Sequence, residues 1–571
     1  MGLEDYWGVG PKTSERLRDR LGEERAVEAI ESADVRALTD AGITRGRATR
    51  ILRRANADAG MDALATRDTR EVYDDLLELA GNYALTGHAG DRIRVLTPLT
   101  SRESIESRLD AVEAARDAWT GLDDEGRATV VAAFDAYDAA DGTERAAVDA
   151  ALALREAGLD GATFDTLGEI DPDAIWAAAT ALGDVTADGV AEGADDRLDD
   201  LRARLDDARD LEDSAFDVLD DVRGAGVRDL SDFRHAFADY VASETHLSRS
   251  AVEEAAPEDA HDAADFASTT LRALVDDLER RVTERAGEVE ADLRASIADA
   301  RDDVDRAVAA VDDVAFDLSL ARFAADHDLI RPVVGGDGLA VEGACNPFLA
   351  DPDPVNYAVG DHDCSPPAGD RVAVLTGANS GGKTTLLETC CAVALLAAMG
   401  LPVPADRAEV GFFDSIVFHR RHASFNAGVL ESTLKSIVPP LTDGGRTLML
   451  VDEFEAITEP GRAADLLNGL VELTVDRGAL GVYVTHLADD LSPLPESARI
   501  DGIFAEGLTA ELDLRVDYQP RFGTVGKSTP EFIVSRLVAN ADDRGERSGF
   551  ERLAAAVGEE AVQATLADAW E

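Results

Sequence analysis

The chain has 571 residues, which is too long for one compact hydrophobic core, so the sequence predicts about two to four domains. It contains 55 Lys+Arg and 115 Asp+Glu, a formal net charge of −60, and the acidic residues are spread through segments of helical apolar spacing rather than gathered in a disordered tail. Because the Debye length falls to about 3 Å at molar salt, we expect a halophilic source, in which this acidity does not exclude nucleic-acid binding.

Residues 1–55 are the first predicted domain, and their basic and acidic residues nearly balance. Two similar units, Trp7–Thr13 and Ala41–Gly46, are each followed by a helical pattern. They resemble a tandem helix-hairpin-helix, in which glycines permit a tight turn and the backbone N–H groups of the next helix bind a DNA phosphate. The alternative is a small helical bundle with ordinary glycine turns. The candidate DNA-binding residues are Gly8, Gly10, Lys12, Gly42, Arg45 and Arg47.

Residues 56–330 predict a long all-α core, since apolar residues recur at three- and four-residue spacing with few Gly or Pro breaks. Leu198–Leu211 and Leu271–Val311 have the charged pattern of helices that pair with one another, as in coiled-coil arms. An early interruption at Thr86–Leu99 predicts a turn and an extended segment. The alternative for this domain is a solvated helical bundle without any DNA contact.

The third predicted domain, residues 331–540, begins where short strands with Pro and Gly breaks replace the helical pattern. An apolar run at Arg371–Thr376 predicts a strand, a glycine-rich loop follows it, and an apolar helix then runs to near Gly400. This order is typical of a phosphate-binding loop (P-loop), whose backbone N–H groups surround a β-phosphate. The predicted nucleotide-binding residues are Gly377, Ala378, Asn379, Ser380, Gly381, Gly382, Lys383, Thr384 and Thr385.

Four of the candidate residues have roles that follow from phosphoryl chemistry. Lys383 is expected to reach the β- and γ-phosphates, and the Thr384 hydroxyl to ligate Mg²⁺. The strand Thr447–Val451 is followed by Asp452, which would hold Mg²⁺ through water. Glu453, the next residue, would orient or deprotonate the attacking water.

A further strand, Leu480–Thr485, is followed by His486. Because the strand comes after the Asp-Glu strand, we expect His486 to donate a hydrogen bond to the γ-phosphate. The alternative is an ordinary loop histidine. With Glu453 and Lys383, His486 completes the predicted catalytic set.

The runs TGANSGGKTTLLE, LMLVDEFEAITEPG and VTH resemble the ATPase domain of the MutS family in that family's order and approximate spacing. Met399–Ala405 matches the family's Gly-x-Pro-Val-Pro-Ala segment, and Leu99–Trp119 resembles the start of its helical core. DEFEAITEPG and the late run GKSTPEFIVSRL are most similar to the archaeal second MutS subgroup, which is associated with ATPase and non-specific DNA-binding activity. The resemblance covers about residues 85–540 and implies an ABC-type ATPase domain that uses ATP and Mg²⁺.

The departures from that family limit what the resemblance implies. The Gly-x-Phe-x-Glu wedge of mismatch recognition is missing, and only a helical tail, residues 541–571, stands where bacterial members carry an endonuclease domain, so neither mismatch recognition nor a nuclease is expected. The family's Ser-Thr-Phe signature, which contacts ATP across a dimer, aligns by analogy near Asn426–Glu431. Such composite sites imply a homodimer.

The sequence thus predicts a multidomain α and α/β protein, a DNA-binding ATPase whose nucleotide state controls its grip on duplex or branched DNA in repair or recombination. One alternative is a mismatch-repair recognition component that acts with a partner. Another is an SMC-like DNA-bridging scaffold, which needs longer arms than the roughly 40-residue helical stretches of this sequence. Tyr357 is a hypothetical aromatic face for adenine, and a packed core tyrosine is the alternative there.

The cysteines and the apolar runs bear on metal binding and location. Cys345, Cys364, Cys390 and Cys391 lack paired metal-ligand spacing, so buried thiols are favoured over a metal site. No export signal opens the sequence, and no apolar run reaches the roughly 18 residues of a membrane span. We expect a cytoplasmic protein without membrane association.

Overall fold

The structure is a computed structural model that forms two compact units, mainly Met1–Asp135 with Asp312–Glu571, and Ala136–Gly158 with Asp165–Val311. The four domains expected from the sequence remain a prediction. The structure describes residues 2–31, 33–57, 60–157, 164–186, 189–224, 229–377, 381–421, 427–453, 460–487, 490–491, 493–509, 512–526, 530–541 and 543–570.

The N-terminal segment folds around a small core of its own. Leu17, Ile30, Leu38 and Leu52 are fully buried in it. A short 3-10 helix, Leu3–Asp5, precedes the four α-helices of the segment. These are α1 (Pro11–Leu21), α2 (Glu23–Glu31), α3 (Val35–Asp40) and α4 (Arg45–Ala57).

Further helices of the first unit follow a 3-10 helix at Gly60–Ala63. They are α5 (Arg67–Gly81), α6 (Gly87–Arg94), α7 (Arg102–Gly121) and α8 (Asp124–Ala139). The extended segment predicted within Thr86–Leu99 is wrong over its first part, where α6 forms. Thr86 caps this helix by accepting from the Ala89 N–H at 3.0 Å, and Ile93 is fully buried on its inner face. The cap and the burial outweigh the strand preference of the β-branched residues.

The second unit is almost wholly helical. Its paired helices confirm the predicted pattern. Between the helices Asp196–Asp213 and Ala263–Asp299, Arg209 bonds Glu279 at 2.7 Å, and Arg285 bonds Asp195, the N-cap of the first helix, at 2.7 Å. The elements in chain order are α9 (Glu144–Glu156), α10 (Asp165–Gly168), α11 (Pro172–Asp184), β1 (Val185–Thr186), β2 (Gly189–Val190), α12 (Asp196–Asp213), α13 (Ala215–Gly224), α14 (Leu230–Glu244), α15 (Arg249–Ala255), α16 (Ala263–Asp299) and α17 (Arg301–Asp326). The last helix, α17, continues into the first unit. The predicted helical stretch Leu271–Val311 is divided at Ala300, between α16 and α17.

The α/β part of the first unit contains two sheets. The strands are β3 (Val333–Ala344), β4 (Val355–Asp361), β5 (Val372–Gly377), β6 (Arg407–Gly411), β7 (Ser415–His419), β8 (Thr447–Val451), β9 (Leu480–Val484), β10 (Ala498–Leu508) and β11 (Leu514–Arg521). A mixed six-stranded sheet has the order β11-β10-β5-β9-β8-β7, with only the β10–β11 pair antiparallel. The order β4-β3-β6 forms an antiparallel three-stranded sheet.

Helices flank the six-stranded sheet because its central strands are apolar along their whole length. Every residue of β5, β8 and β9 is buried, as expected for parallel strands that are covered on both faces. The helices between the strands are α18 (Lys383–Ala398), α19 (Ala427–Thr442) and α20 (Pro460–Asp476). This arrangement places the carboxyl ends of β5, β8 and β9 at one edge.

Three further helices end the chain around a small cluster of apolar side chains. They are α21 (Pro530–Ala539), α22 (Arg544–Val557) and α23 (Glu559–Trp570). Val534, Val538, Val562 and Leu566 are buried between them. Among the described helices of the chain, none combines the length and the apolar character needed to cross a membrane.

Candidate functional site

Three strand ends form the centre of the candidate site. β9 lies between β5 and β8 in parallel register, so the residues that follow these strands are neighbours. The Glu453 N–H donates to Val484 O at 3.1 Å, and the Thr485 N–H donates to Leu375 O at 3.0 Å. The glycine-rich loop, the Asp-Glu pair and His486 therefore leave the sheet side by side.

The glycines at the two ends of the loop are required by its geometry. Gly377 has φ +133°, and a Cβ there would lie 2.2 Å from Ile503 O. Gly382 has φ +73° and caps α18, and a Cβ there would lie 2.8 Å from Tyr518 Cδ1. Both positions exclude a side chain. The predicted loop residues Ala378, Asn379 and Ser380 lie outside the described residues.

Lys383 and Thr384 open α18 and contact the strand ends directly. Lys383 is only 4% exposed, and its Nζ donates to Gly377 O at 3.0 Å. Thr384 Oγ1 donates to Asp452 Oδ2 at 2.6 Å. The structure thereby brings the first turn of α18 and the Asp-Glu pair together.

Asp452 has the surroundings of a cation ligand. Its carboxyl group is buried, and Oδ1 has no hydrogen-bond partner among the described residues. Burial raises the pKa of Asp452, and the hydrogen bond from Thr384 opposes that rise. No group of three or more His, Cys, Asp or Glu side chains that could hold a metal occurs in the described parts of the chain. One carboxylate and one hydroxyl fit Mg²⁺, which commonly takes few protein ligands and binds phosphate oxygens as well.

Glu453 is held from two sides. Its Oε1 lies 2.9 Å from His486 Nε2, and its Oε2 forms an ion pair with Arg421 Nη1. The hydrogen bond from His486 lowers the pKa of Glu453, although burial raises it. Glu453 also has φ +41°, a conformation that is strained for a residue with a side chain. In this conformation Glu453 lines the same cavity as Lys383 and Thr384.

A cavity of about 420 Å³ lies in front of these groups, within the usual size of small-molecule sites. Its wall includes Lys383, Thr384, Thr385 and Glu453, together with Tyr518 of β11. Tyr518 is 38% exposed and its ring faces Gly382. Sequence reasoning missed Tyr518, because a tyrosine on an edge strand has no motif that relates it to the loop.

Tyr357 was the hypothetical aromatic face, and that hypothesis is wrong. The ring is only 1% exposed and does not line the cavity. Its hydroxyl donates to Asp501 Oδ2 at 3.2 Å, and the ring stacks on Phe522 at 6.1 Å between centroids. Tyr357 is a core residue that anchors β4 to β10.

The cysteines are free thiols in the described structure. Cys364, Cys390 and Cys391 are buried, as the sequence predicted, whereas Cys345 is partly exposed. Burial raises the pKa of Cys390 to about 12 and that of Cys364 to about 11. These thiols are therefore poor nucleophiles at neutral pH.

Hydrogen bonds join the two N-terminal turns, at Gly8 and at Gly42. Gly8 and Gly42 have φ +80° and +85°, so both turns use conformations that favour glycine. Arg47 Nη2 donates to Gly8 O at 3.2 Å and to Thr13 Oγ1 at 2.7 Å. In the reverse direction Arg16 Nη1 donates to Gly42 O at 3.0 Å. The first turns of α1 and α4 therefore lie next to each other.

The predicted DNA-binding residues differ in how far the fold uses them. All six, Gly8, Gly10, Lys12, Gly42, Arg45 and Arg47, are exposed. Arg45 forms an ion pair with Asp91 of α6, and Arg47 serves as the tie between the turns. α4 also carries Arg50, Arg53 and Arg54 and has no acidic residue. Three of its five arginines form ion pairs with acidic residues outside the helix, Arg45 with Asp91, Arg53 with Asp74 and Arg54 with Asp62.

Comparisons with known proteins identify relatives of part of the chain. Residues 373–442 match the family described as MutS domain V. The chain is 46% identical over 196 residues to the DNA-binding protein MutS2 of Pyrococcus furiosus, which covers 34% of each protein. It is 30% identical over 174 residues to the endonuclease MutS2 of Thermus thermophilus, covering 29% of the chain and 23% of the relative.

A third relative carries a different name. The mitochondrial DNA mismatch repair protein MSH1 of Arabidopsis thaliana is 36% identical over 146 residues, which cover 24% of the chain and 12% of the relative. The matches thus span about a third or less of the length of each of these relatives. They support a shared region rather than a shared whole protein.

Proposed function

We propose that this chain is a MutS-family protein of the MutS2 type that binds DNA and hydrolyses ATP. The single observation that carries the proposal is the contact of Thr384 with Asp452, whose other carboxylate oxygen is buried without a partner among the described residues. A buried carboxylate with an unused oxygen costs free energy unless a cation binds it. The match of residues 373–442 to MutS domain V supports the same conclusion.

The proposed P-loop positions the phosphates of ATP. The strand–loop–helix order of β5 and α18 directs backbone N–H groups at the start of the helix toward the cavity, where an anion is stabilised by the helix dipole. Lys383 exchanges its contact with Gly377 O for the β- and γ-phosphates. The Tyr518 ring, which lines the same cavity beside Gly382, offers the stacking surface for the base.

Asp452 and Thr384 hold Mg²⁺ in this proposal, Asp452 through water and Thr384 through its hydroxyl. When bound, Mg²⁺ neutralises charge on the phosphate oxygens. Glu453 accepts a proton or a hydrogen bond from the attacking water, since it lines the same cavity as Lys383. His486 orients Glu453 through Oε1, and in this proposal it also donates a hydrogen bond to the γ-phosphate.

The N-terminal segment is the proposed DNA-binding module. Its paired turns expose two helix N-termini side by side, and α4 adds five arginines, Arg45, Arg47, Arg50, Arg53 and Arg54. Backbone N–H groups and arginines bind phosphates without reading base sequence. We therefore propose non-specific or shape-selective DNA binding, with nucleotide state controlling grip, in a homodimer that works at high salt.

The test is the steady-state ATPase rate of the full chain in molar KCl with Mg²⁺, with and without duplex, mismatched and branched DNA. We expect Mg²⁺-dependent hydrolysis that DNA changes by about threefold or more, a modest coupling free energy. A response to one branched form would indicate a structure-selective role, and an equal response to all forms a general DNA-holding role. A chain that binds Mg²⁺ATP but turns it over no faster than its Lys383→Ala variant is not an ATPase.

A further inference from the structure

Arg421 lies two residues beyond β7 and contacts the second member of the Asp-Glu pair. Its guanidinium forms an ion pair with Glu453 Oε2. The Arg421 side chain is 54% exposed, whereas the Glu453 side chain is 9% exposed. The pair thus joins a solvent-facing cation to a buried carboxylate at the mouth of the cavity.

Hydrogen bonds fix the backbone of the residues just before Arg421, so the Arg421 side chain is the part that we expect to move. The Arg420 N–H donates to Asp68 Oδ2 at 2.7 Å, and His419 O accepts from the Asp452 N–H at 2.9 Å. Within β7, the Phe418 N–H donates to Thr69 Oγ1 at 2.8 Å. A long, half-exposed arginine side chain on a fixed backbone can change partners without moving the strand.

With this pair formed, Glu453 has both carboxylate oxygens engaged. Oε1 is occupied by His486 at 2.9 Å and Oε2 by Arg421. Each oxygen keeps a second lone pair, but two charge-assisted partners make the carboxylate a weaker acceptor and a weaker base toward water. Release of one partner therefore makes Glu453 more effective on water. Arg421 is the more exposed of the two.

We propose that Arg421 is a switching residue that holds Glu453 while the γ-phosphate position is empty and moves to the γ-phosphate when ATP is bound. The inference rests on the proposed function of the site. Arginine suits both partners, because its planar set of donors matches carboxylate and phosphate oxygens alike. The exchange frees Oε2 to accept a hydrogen bond from the attacking water. It also distinguishes ATP from ADP, which offers no γ-phosphate to compete for Arg421.

The exchange is tested by a double-mutant cycle on nucleotide affinity. The full chain, Arg421→Ala, Glu453→Gln and the double variant are titrated calorimetrically in molar KCl and Mg²⁺. The probes are ADP and the non-hydrolysable analogue with an imido group between the β- and γ-phosphates. The quantity compared is the ratio of the two affinities, which cancels effects on the base and on the shared phosphates.

We expect Arg421→Ala to lower the preference for the triphosphate about fivefold or more, since a charge-assisted contact is lost. Glu453→Gln removes the partner of Arg421 before ATP binds, so the preference for the triphosphate should rise. We expect this rise to be about threefold larger in the wild-type background than in the Arg421→Ala background. If Arg421 stays on Glu453 when ATP binds, Glu453→Gln should raise the preference for the triphosphate no more in the wild-type background than in the Arg421→Ala background. That result overturns the inference.

Three controls separate this inference from simpler effects. Arg407→Ala removes an arginine of similar exposure that pairs with Glu409 at 2.7 Å, and it should leave the affinity ratio within about twofold. Arg421→Gln is a second variant that keeps a polar side chain and removes the charge, and it should behave as Arg421→Ala does. A wild-type chain that binds neither nucleotide overturns the proposed function together with the inference. If the wild-type chain binds both nucleotides but the effects of Arg421→Ala and Glu453→Gln on the affinity ratio are additive, only the inference is overturned.

Discussion

Thr384 Oγ1 donates a hydrogen bond of 2.6 Å to Asp452 Oδ2 and so joins the first turn of α18 to the end of β8. These residues are far apart in sequence and meet because β5 and β8 are parallel neighbours of β9. The contact brings a hydroxyl and a carboxylate to the distance at which one small cation can bind both. Predictions for the site follow from this junction.

Lys383→Ala should lower the hydrolysis rate at least about 100-fold, because the buried ammonium is the main positive charge of the loop. The measurement is phosphate release in molar KCl, with circular dichroism to verify the fold. Lys435→Ala is the matched control, since Lys435 is 73% exposed and pairs with Glu431 on α19. Loss of activity in both variants would assign the effect to a general loss of positive charge.

Glu453→Ala should bind ATP and hydrolyse it about 100-fold more slowly, because no carboxylate is left to accept from water. His486→Ala should have a smaller effect, about tenfold on kcat, since it removes only one of the two contacts that hold Glu453. Single-turnover hydrolysis of radiolabelled ATP separates binding from chemistry. Equal rates for wild type and Glu453→Ala would exclude Glu453 from the reaction.

Tyr518→Ala should weaken ATP and ADP binding equally, by about fivefold to tenfold, through loss of a stacking surface of roughly 1 kcal/mol. Tyr518→Phe keeps the ring and should bind nearly as well as wild type. Tyr357→Phe is the control, because it removes the hydroxyl that donates to the buried Asp501. It should lower the melting temperature and leave nucleotide affinity unchanged, and a loss of affinity would show that the Tyr357 hydroxyl contributes to binding.

The two N-terminal turns predict different effects for two basic residues. Arg47→Ala removes the tie to Gly8 O and Thr13 Oγ1, so it should cost about 1–2 kcal/mol of stability in addition to DNA affinity. Lys12→Ala removes an exposed charge and should lower DNA affinity alone. Binding to labelled duplex DNA is measured over a series of KCl concentrations. Each variant should also reduce the salt dependence of binding, which reports the number of phosphate contacts.

The sequence was sufficient for the parts of the fold that local patterns determine. The strands at Thr447–Val451 and Leu480–Val484 and the helix after Lys383 were predicted and are present, because apolar runs between glycine breaks have few alternative structures. α6 was missed, because its cap at Thr86 outweighs strand-favouring residues.

The contacts that complete the site lay beyond sequence reasoning. Tyr518 and Arg421 come from segments outside the motifs. Only the packing of β11 and β7 places Tyr518 at the cavity and Arg421 against Glu453. Arg47 was expected to flank a phosphate, yet its guanidinium also donates to Gly8 O, which is 39 residues away in the sequence. A side chain's partner across the fold is a tertiary property that residue type and spacing do not contain.

Asp317 provides a prediction for stability that is independent of the nucleotide site. This carboxyl group of α17 lies near Arg92 of α6 and Arg108 of α7, and burial raises its pKa from 3.8 to about 6, against the attraction of Arg92. At neutral pH the folded chain therefore carries the cost of a buried charge, whereas in the unfolded chain the carboxylate is hydrated. As the pH falls from 7 to about 4, Asp317 becomes protonated in the folded state and this cost disappears.

Asp317→Asn should therefore be more stable than wild type at pH 7 and equally stable near pH 4. The change of pKa corresponds to about 3 kcal/mol before salt screening, and we expect about 1–2 kcal/mol in molar KCl. Urea unfolding at both pH values measures the difference. Asp313→Asn, which removes an exposed partner of Arg92, is the control and should change stability by less than about 0.5 kcal/mol at either pH. A destabilised Asp317→Asn at pH 7 would mean that attraction to Arg92 and Arg108 outweighs burial.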